Sequence, residues 1–413
     1  MFFAGVDWGD KKHSVCVVDE KGETAAAFDV RHAPDDLDMM VGRLKTFEPL
    51  AGICVETSSG LLINALVSAG IPVFPVNPKV AKAWRDGWSA GGSKTDPTDA
   101  WMLAHGLREH HVKMRALPRD SALARELAIL CADEKSLIQQ RTALVNSLIS
   151  ALKTYYPQAL DWFSDWTRPA AHDFIIIFPT PASLGAASKK RLAGFLKTHN
   201  IGLSPKWLDR IAQTRRGAGP AWPRDTAVCA AKSLLAVSLA KELRALDAAL
   251  AEYRKRIAEL FDSHPDADIF SSLPGAGDKL APRLLSAFGD DRAKFQSARS
   301  VQQLSGVVPV RFESGKLRFD KFRYACNKDF RDALTSFAFH SIPRCPWAKA
   351  FYNNAIAKGQ SHFLALRNLA AKWLTIIFRM WIDRVPYDEG VFIHSLMQHG
   401  SPLAAAYQPV EKR

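Results

Sequence analysis

The hydrophobic pattern of this 413-residue chain changes period once, near Pro118, and that change constrains the fold more than any other feature. Before it, FFAGVDWG, HSVCVVD and TAAAFDV are short runs rich in Val, Phe and Ala, separated by GDKK and EKGE, which carry turn chemistry. They predict a three-strand antiparallel meander. Then come a helical pattern (PDDLDMMVGRLKTF), a buried strand (LAGICVET), a helix (GLLINALVSAG), a strand (IPVFPVN) and a helix from about Pro78 to Trp88. Strands that alternate with helices imply an α/β sheet covered on both faces. After Pro118 the repeat is seven: Leu123, Leu130, Leu137 and Leu144, with the companion series Leu127, Glu134, Arg141 and Leu148. Much later Leu239, Leu243, Leu246, Leu250, Tyr253, Ile257 and Leu260 keep a 4-3-4-3 spacing throughout, the knob pattern of a two-helix seam. Pairing inside one chain, as the core of a helical bundle, and an intermolecular coiled coil fit this spacing equally.

The length suits two or three domains, since single cores stop growing at about 250 to 300 residues. The expected organisation is an α/β domain over 1–117, a helical region over 118–262, a mainly helical domain over 263–390 and a tail over 391–413. Within the helical region, 158–227 is rich in Pro and Trp, and from Lys189 to Arg224 it carries nine Lys and Arg against one acid, Asp209. Trp207 and Trp222 interleave with that charge as stacking platforms on nucleic acid would, although a solvated basic face reads the same way. The six cysteines are scattered without metal-type spacing and read as buried hydrophobes in a reducing compartment. No apolar run approaches the ~18 residues of a membrane span, so a cytoplasmic protein is expected.

The net charge of +13 attracts polyanions, with nucleic acid the leading partner. Against that surplus, four carboxylates stand out. Asp7 ends the first strand pattern, Glu56 ends LAGICVET, and Asp96 and Asp99 in KTDPTDA open a helical run, where residues i and i+3 share a face. Each alone is an ordinary cap or turn residue. Together, converging from three elements, they would repel one another unless a hard divalent cation neutralised them, and such sites catalyse phosphodiester chemistry.

In the second half, LPGAGDKLAPRLLSAFGD fits a helix-hairpin-helix pattern whose Gly275 and Gly277 would expose backbone N–H groups to a phosphate, or a plain helix-turn-helix packing motif. From Arg311 to Arg331 seven basic residues face three acids, with Phe312, Phe319, Phe322 and Tyr324 interleaved. Arg311, Lys316, Arg318, Lys321 and Arg323 are the candidate backbone-gripping residues, though an amphipathic surface hairpin has the same composition. Ser314 precedes Gly315 in a flexible turn flanked by Arg311, Lys316 and Arg318.

The order strand Asp, strand Glu, helix-borne Asp pair resembles the RNase H and RuvC-like nuclease fold. GVDWGDKKHSVCVVDEKG, CVETSSG and above all KTDPTDA are similar to the N-terminal domain of the DEDD insertion-sequence transposases, relatives of the pilin-gene invertases and of the bridge-RNA-guided recombinases. From LPGAGDKLAP through SGKLRF and NKDFRDAL to about residue 385 the chain resembles the C-terminal domain of the same family. Cys326, where relatives commonly carry glycine, and the 158–227 segment depart from the family pattern. The resemblance implies catalytic Asp7, Glu56, Asp96 and Asp99 around Mg²⁺, a catalytic serine at Ser314 rather than Ser59 or Ser305, and a phosphoserine intermediate in DNA cutting and rejoining. It also implies donor and target DNA as substrates, a noncoding guide RNA, and a homodimer assembling to a tetramer. A metal-dependent nuclease or Holliday-junction resolvase that uses water is the alternative.

Overall fold

The computed structural model describes residues 1–88, 95–202, 204, 205, 207, 209, 226–315 and 317–400. They divide into two compact units, Met1–Arg119 and the described residues from Asp120 onward.

The first unit is built on a five-stranded sheet: β1 (Phe2–Asp7), β2 (Lys12–Val18), β3 (Thr24–Arg31), β4 (Leu50–Val55) and β5 (Val73–Pro75), in the order β3-β2-β1-β4-β5. The first three strands form the antiparallel meander expected from sequence, with Val6 opposite Val15, and β4 and β5 add in parallel, with Val6 opposite Val55. Side chains alternate across such a sheet, so each strand feeds two cores. Ala4, Val6, Val15, Val17, Ile53 and Val55 pack beneath α1 (Pro34–Leu44) and α2 (Leu61–Ser68). On the opposite face Phe3, Cys16, Val18 and Cys54 pack beneath α3 (Pro78–Trp88) and α4 (Asp96–His110). The mixed sheet with helices on both faces is the RNase H-like arrangement.

The second unit is almost wholly helical. Its spine is the pair α5 (Ala122–Tyr155) and α9 (Thr226–Ser263), rods of about 50 and 57 Å at 1.5 Å per residue. Between them in sequence lie a 3-10 turn (Pro157–Asp161), α6 (Pro169–Ile177), α7 (Pro181–Gly185) and α8 (Lys189–Thr198). After them come α10 (Ala267–Ser271), α11 (Gly277–Phe288), α12 (Ala298–Ser305), a hairpin of β6 (Val310–Ser314) and β7 (Leu317–Lys321), then α13 (Lys328–Ser341), α14 (Pro346–Ala357), α15 (His362–Asp383) and α16 (Glu389–Gln398).

The two long helices pair with each other inside the chain and run antiparallel: Arg256 bonds Glu126, Arg254 bonds Glu134, and Arg141 faces Asp247. On α9 the expected seam is the buried one, with Leu239, Leu243, Leu250, Ile257 and Leu260 inside. On α5 the buried stripe is displaced from the leucine series. Leu127, Cys131, Glu134, Val145, Leu148 and Leu152 are buried, while Leu123, Leu130, Leu137 and Leu144 lie half-buried on its flank. Glu134 is the charged member of this stripe, and Arg254 and Arg283 explain its burial, donating to its carboxylate at 3.0 and 2.8 Å. Each end of the pair nucleates its own core. One gathers Leu127, Cys131, Ile257, Leu260 and the helices after α9, including Ile393 and Leu396 of α16. The other gathers Val145, Leu148, Leu152, Leu239 and Leu243 with α6 to α8. Trp207, half-buried, packs against that second core, its ring 5.1 Å from Trp162 and 5.9 Å from Phe163. Trp222 lies outside the described residues.

Candidate active site

Gly5 determines how α4 meets the sheet. A Cβ there would stand 2.1 Å from the Ala100 carbonyl oxygen and 2.3 Å from the Ala104 nitrogen, so the helix backbone rests directly on β1. Phe3, two residues earlier on the same face, meets the ring of His111 at 5.0 Å, just beyond the C-terminal end of α4. The helix therefore runs antiparallel to the strand. Its first turn, with Asp96 and Asp99, points to the strand end that carries Asp7, which shares the face of Phe3 and Gly5 because side chains alternate. Glu56 directly follows β4, the parallel neighbour of β1, and shares the face of Cys54, again the α4 side. Local chemistry fixes the start of α4: Thr95 caps it by accepting from the Thr98 amide, and Pro97 occupies the first turn. Acidic residues there also complement the positive end of the helix dipole.

Within this corner the structure brings Glu56 and Asp99 onto one guanidinium, that of Arg85 in α3. Arg85 Nε donates to Asp99 Oδ1 at 2.7 Å, and Nη2 lies 3.8 Å from Glu56 Oε1. Asp99 is buried, with 1% of its side chain exposed, and this charge-assisted bond compensates its loss of water. Asp7 and Glu56 are half-buried and Asp96 is exposed. Lys12, at the start of β2, has its ammonium held above its ordinary value by its bond to Asp29, and Asp96 adds to that field. Among the described residues no three His, Cys, Asp or Glu stand together in a metal-holding group. In kind, the four carboxylates are the all-oxygen donor set a hard divalent cation takes. In arrangement, the positive charge between Glu56 and Asp99 is supplied by Arg85, a residue the sequence did not single out.

Ser314 closes β6 and pairs with Leu317, and Gly315, which follows it, has φ +55. The hairpin is exposed along both strands, so the hydroxyl stands at a solvated tip. Phe312 and Phe319 stack across the strands at 5.5 Å, and Lys321 lies 4.7 Å from the Phe312 ring centre. Arg311 reaches Asp320 at 3.6 Å, and Arg318 sits opposite Glu313 in register. Arg323 turns inward instead, donating to the carbonyls of Val308 and Pro309. Lys316 lies outside the described residues. Of the other serines before glycine, Ser305 is fully buried and donates to the Gln302 carbonyl, while Ser59 sits in an exposed turn. At the glycine turn, a Cβ on Gly275 would stand 2.5 Å from the His340 carbonyl oxygen, so this glycine allows the turn to pack on α13, whereas Gly277 faces open space.

Two family comparisons match the two ends of the chain. Residues 4–157 match the DEDD-type transposase family of IS110, and residues 267–353 match the family described as Transposase IS116/IS110/IS902. The IS117 mini-circle protein of Streptomyces coelicolor, named for a transposase, is 30% identical over 407 residues, covering 96% of this chain and 97% of its own. The 42 kDa protein of insertion element IS900 from Mycobacterium paratuberculosis is 26% identical over 93% of this chain and 96% of its own. The pilin gene-inverting protein of Moraxella bovis is 28% identical over 128 residues, 30% of this chain and 39% of its own. A mixed sheet bearing an Asp, a Glu and an Asp pair at one end, together with these matches, defines a transposase, an enzyme that recombines DNA. More narrowly, the chain belongs to the IS116/IS110/IS902 transposase family.

Proposed function

We propose that this transposase cuts and rejoins DNA through a phosphoserine intermediate on Ser314, assisted by Asp7, Glu56, Asp96 and Asp99. The observation that carries the reading is the docking of α4 on Gly5, which sets Asp99 and Asp96 at the sheet end that bears Asp7 and Glu56. The four carboxylates would hold a divalent cation, Mg²⁺ by their hardness, which when bound supplies electrostatic stabilisation of a reacting phosphate. Ser314 supplies the nucleophile: its hydroxyl gives up a proton, an Oγ–P bond forms, and the bond from phosphorus to a deoxyribose oxygen breaks, leaving that strand with a free hydroxyl. Attack by a hydroxyl of another strand reverses these steps and releases the serine. The phosphodiester energy is conserved, so no nucleotide hydrolysis is required. Arg318, next to the Leu317 that pairs with Ser314, lies beside the hairpin tip and would favour the added negative charge. The working assembly must bring hydroxyl and carboxylates to one phosphate, which favours a homodimer or a tetramer acting on two duplexes. Kinship suggests a noncoding guide RNA as a further partner, to which the +13 charge is suited.

The test is denaturing electrophoresis of labelled donor DNA after incubation with Mg²⁺ and co-purified RNA. A protein-linked band is expected, and Ser314→Ala should remove it while DNA binding persists. Asp99→Asn should lower its rate by roughly a hundredfold or more, the scale of losing a main electrostatic contribution. Cleavage that continues in Ser314→Ala with no linked band would replace this reading with the water-using nuclease.

A further inference from the structure

Just past the hairpin, α13 and α15 border an open groove of about 680 Å³ whose walls include Phe322, Phe339, Phe363, Arg331 and Arg367. Its charges are unbalanced. The guanidinium carbons of Arg331 and Arg367 lie 4.8 and 4.7 Å from the centre of the same Phe322 ring, and among the described residues neither is ion-paired to a carboxylate. Arg331 donates one bond, to the Arg323 carbonyl at 3.2 Å. The nearby acid, Asp332, is already engaged by Lys135 at 2.6 Å, as is Asp329. Burial, and after it the neighbouring Arg331, push the Arg367 guanidinium below its ordinary value.

Exposed aromatic rings accompany this charge. Phe363 is 77% exposed, Phe339 50% and Phe322 37%, far more than apolar rings of a folded helical core require. Phe363 touches the ring of His362, which is held in place by Tyr352 through a 2.7 Å hydrogen bond. Paired guanidiniums recognise phosphate oxygens, and exposed rings offer stacking faces to bases that are not already stacked in a duplex. A duplex, whose bases are covered by their neighbours, can use the first feature but not the second.

We propose that the α13–α15 groove binds an unpaired stretch of a nucleic-acid strand, with Arg331 and Arg367 on a phosphate and Phe363 stacked on a base. The proposal deepens the reading of the chain as a DNA recombinase and does not depend on Ser314 being the nucleophile. It differs from the hairpin contacts because its residues come from two helices and from Phe322, which follows β7.

The test is fluorescence anisotropy of the full chain with labelled oligodeoxythymidine, oligouridine and duplex DNA. The paired substitution Arg331→Gln with Arg367→Gln should weaken binding to the unpaired oligomers at least tenfold. It should also lower the slope of log affinity against log salt by about 0.7, the value for one lost phosphate contact. Phe363→Ala, at an exposed position that cannot unfold the core, should weaken unpaired oligomers at least about fivefold and duplex less than twofold. Arg367→Lys should restore part of the binding, and Ser314→Ala should bind as the parent does. A dependence on Phe363 for either oligomer supports the proposal and tells whether DNA or RNA occupies the groove. Unpaired binding within twofold of the parent in both variants, or equal losses for duplex and single strands on Phe363→Ala, would overturn it.

Discussion

Gly5 and Arg85 show what single residues contribute to this site. The helix bearing Asp96 and Asp99 rests on bare backbone at Gly5, and even one methyl would overlap atoms of Ala100 and Ala104. Gly5→Ala is therefore expected to destabilise the first unit by about 3 kcal/mol, the upper range for overpacking, and to lower strand cleavage by moving the carboxylates. Thermal melting and the electrophoretic assay would show both effects together, and a variant that melts like the parent would refute the close approach. The places of the four carboxylates in the fold, at a strand end, just past a second strand and in the first turn of a helix, were legible in the sequence. Arg85 was not. It lies 14 residues from Asp99 on another helix, and only the packing of α3 beside α4 brings the two together.

At the scale of elements, α9 declared its buried face through an unbroken 4-3-4-3 series, while α5 declared only half of its own, through the companion series Leu127, Glu134 and Leu148. The leucines of α5 were the stronger periodic signal, yet the buried stripe runs through Glu134, because two arginines from elsewhere in the fold neutralise it. A sequence pattern that scores only apolar residues misses a seam completed by ion pairs. Burial alone would push the Glu134 carboxyl up, but the bonds from Arg283 and Arg254 outweigh it and hold the group below its ordinary 4.5. A lowered folded value adds stability that is present above the unfolded value and lost as pH falls through the folded one. Glu134→Gln should accordingly cost about 2 kcal/mol at pH 7, below the ~3–5 of a fully buried pair because Arg254 is partly exposed. The gap between variant and parent should narrow on acidification below 4.5, as measured by denaturant unfolding. A gap that stays constant would show that the carboxylate charge is not what matters there.

Across the whole molecule, the first unit carries two cores of its own, one on each face of its sheet, and is large enough to stand alone. Residues 1–119 expressed separately should show one cooperative thermal transition, which calorimetry would check. A broad, uncooperative melt would mean that this sheet depends on the rest of the chain. The alternation of strands and helices made the unit readable, since each face needed its own apolar set. Much less readable was the Trp-rich segment, because a tryptophan beside basic residues looks the same whether it will stack on a base or, as Trp207 does, pack at a tilt against Trp162.

The antiparallel spine also makes the segment holding α6 to α8 a topological cassette: the chain goes out along α5 and returns along α9 to the place it left. Taking one heptad from each limb at facing positions would draw that outer lobe inward by about 10 Å while changing its rotational phase by only ~20°. A cut in one limb alone would throw the two helices out of step. The lobe's reach is thus an adjustable dimension, set by helix length rather than by the residues of either core.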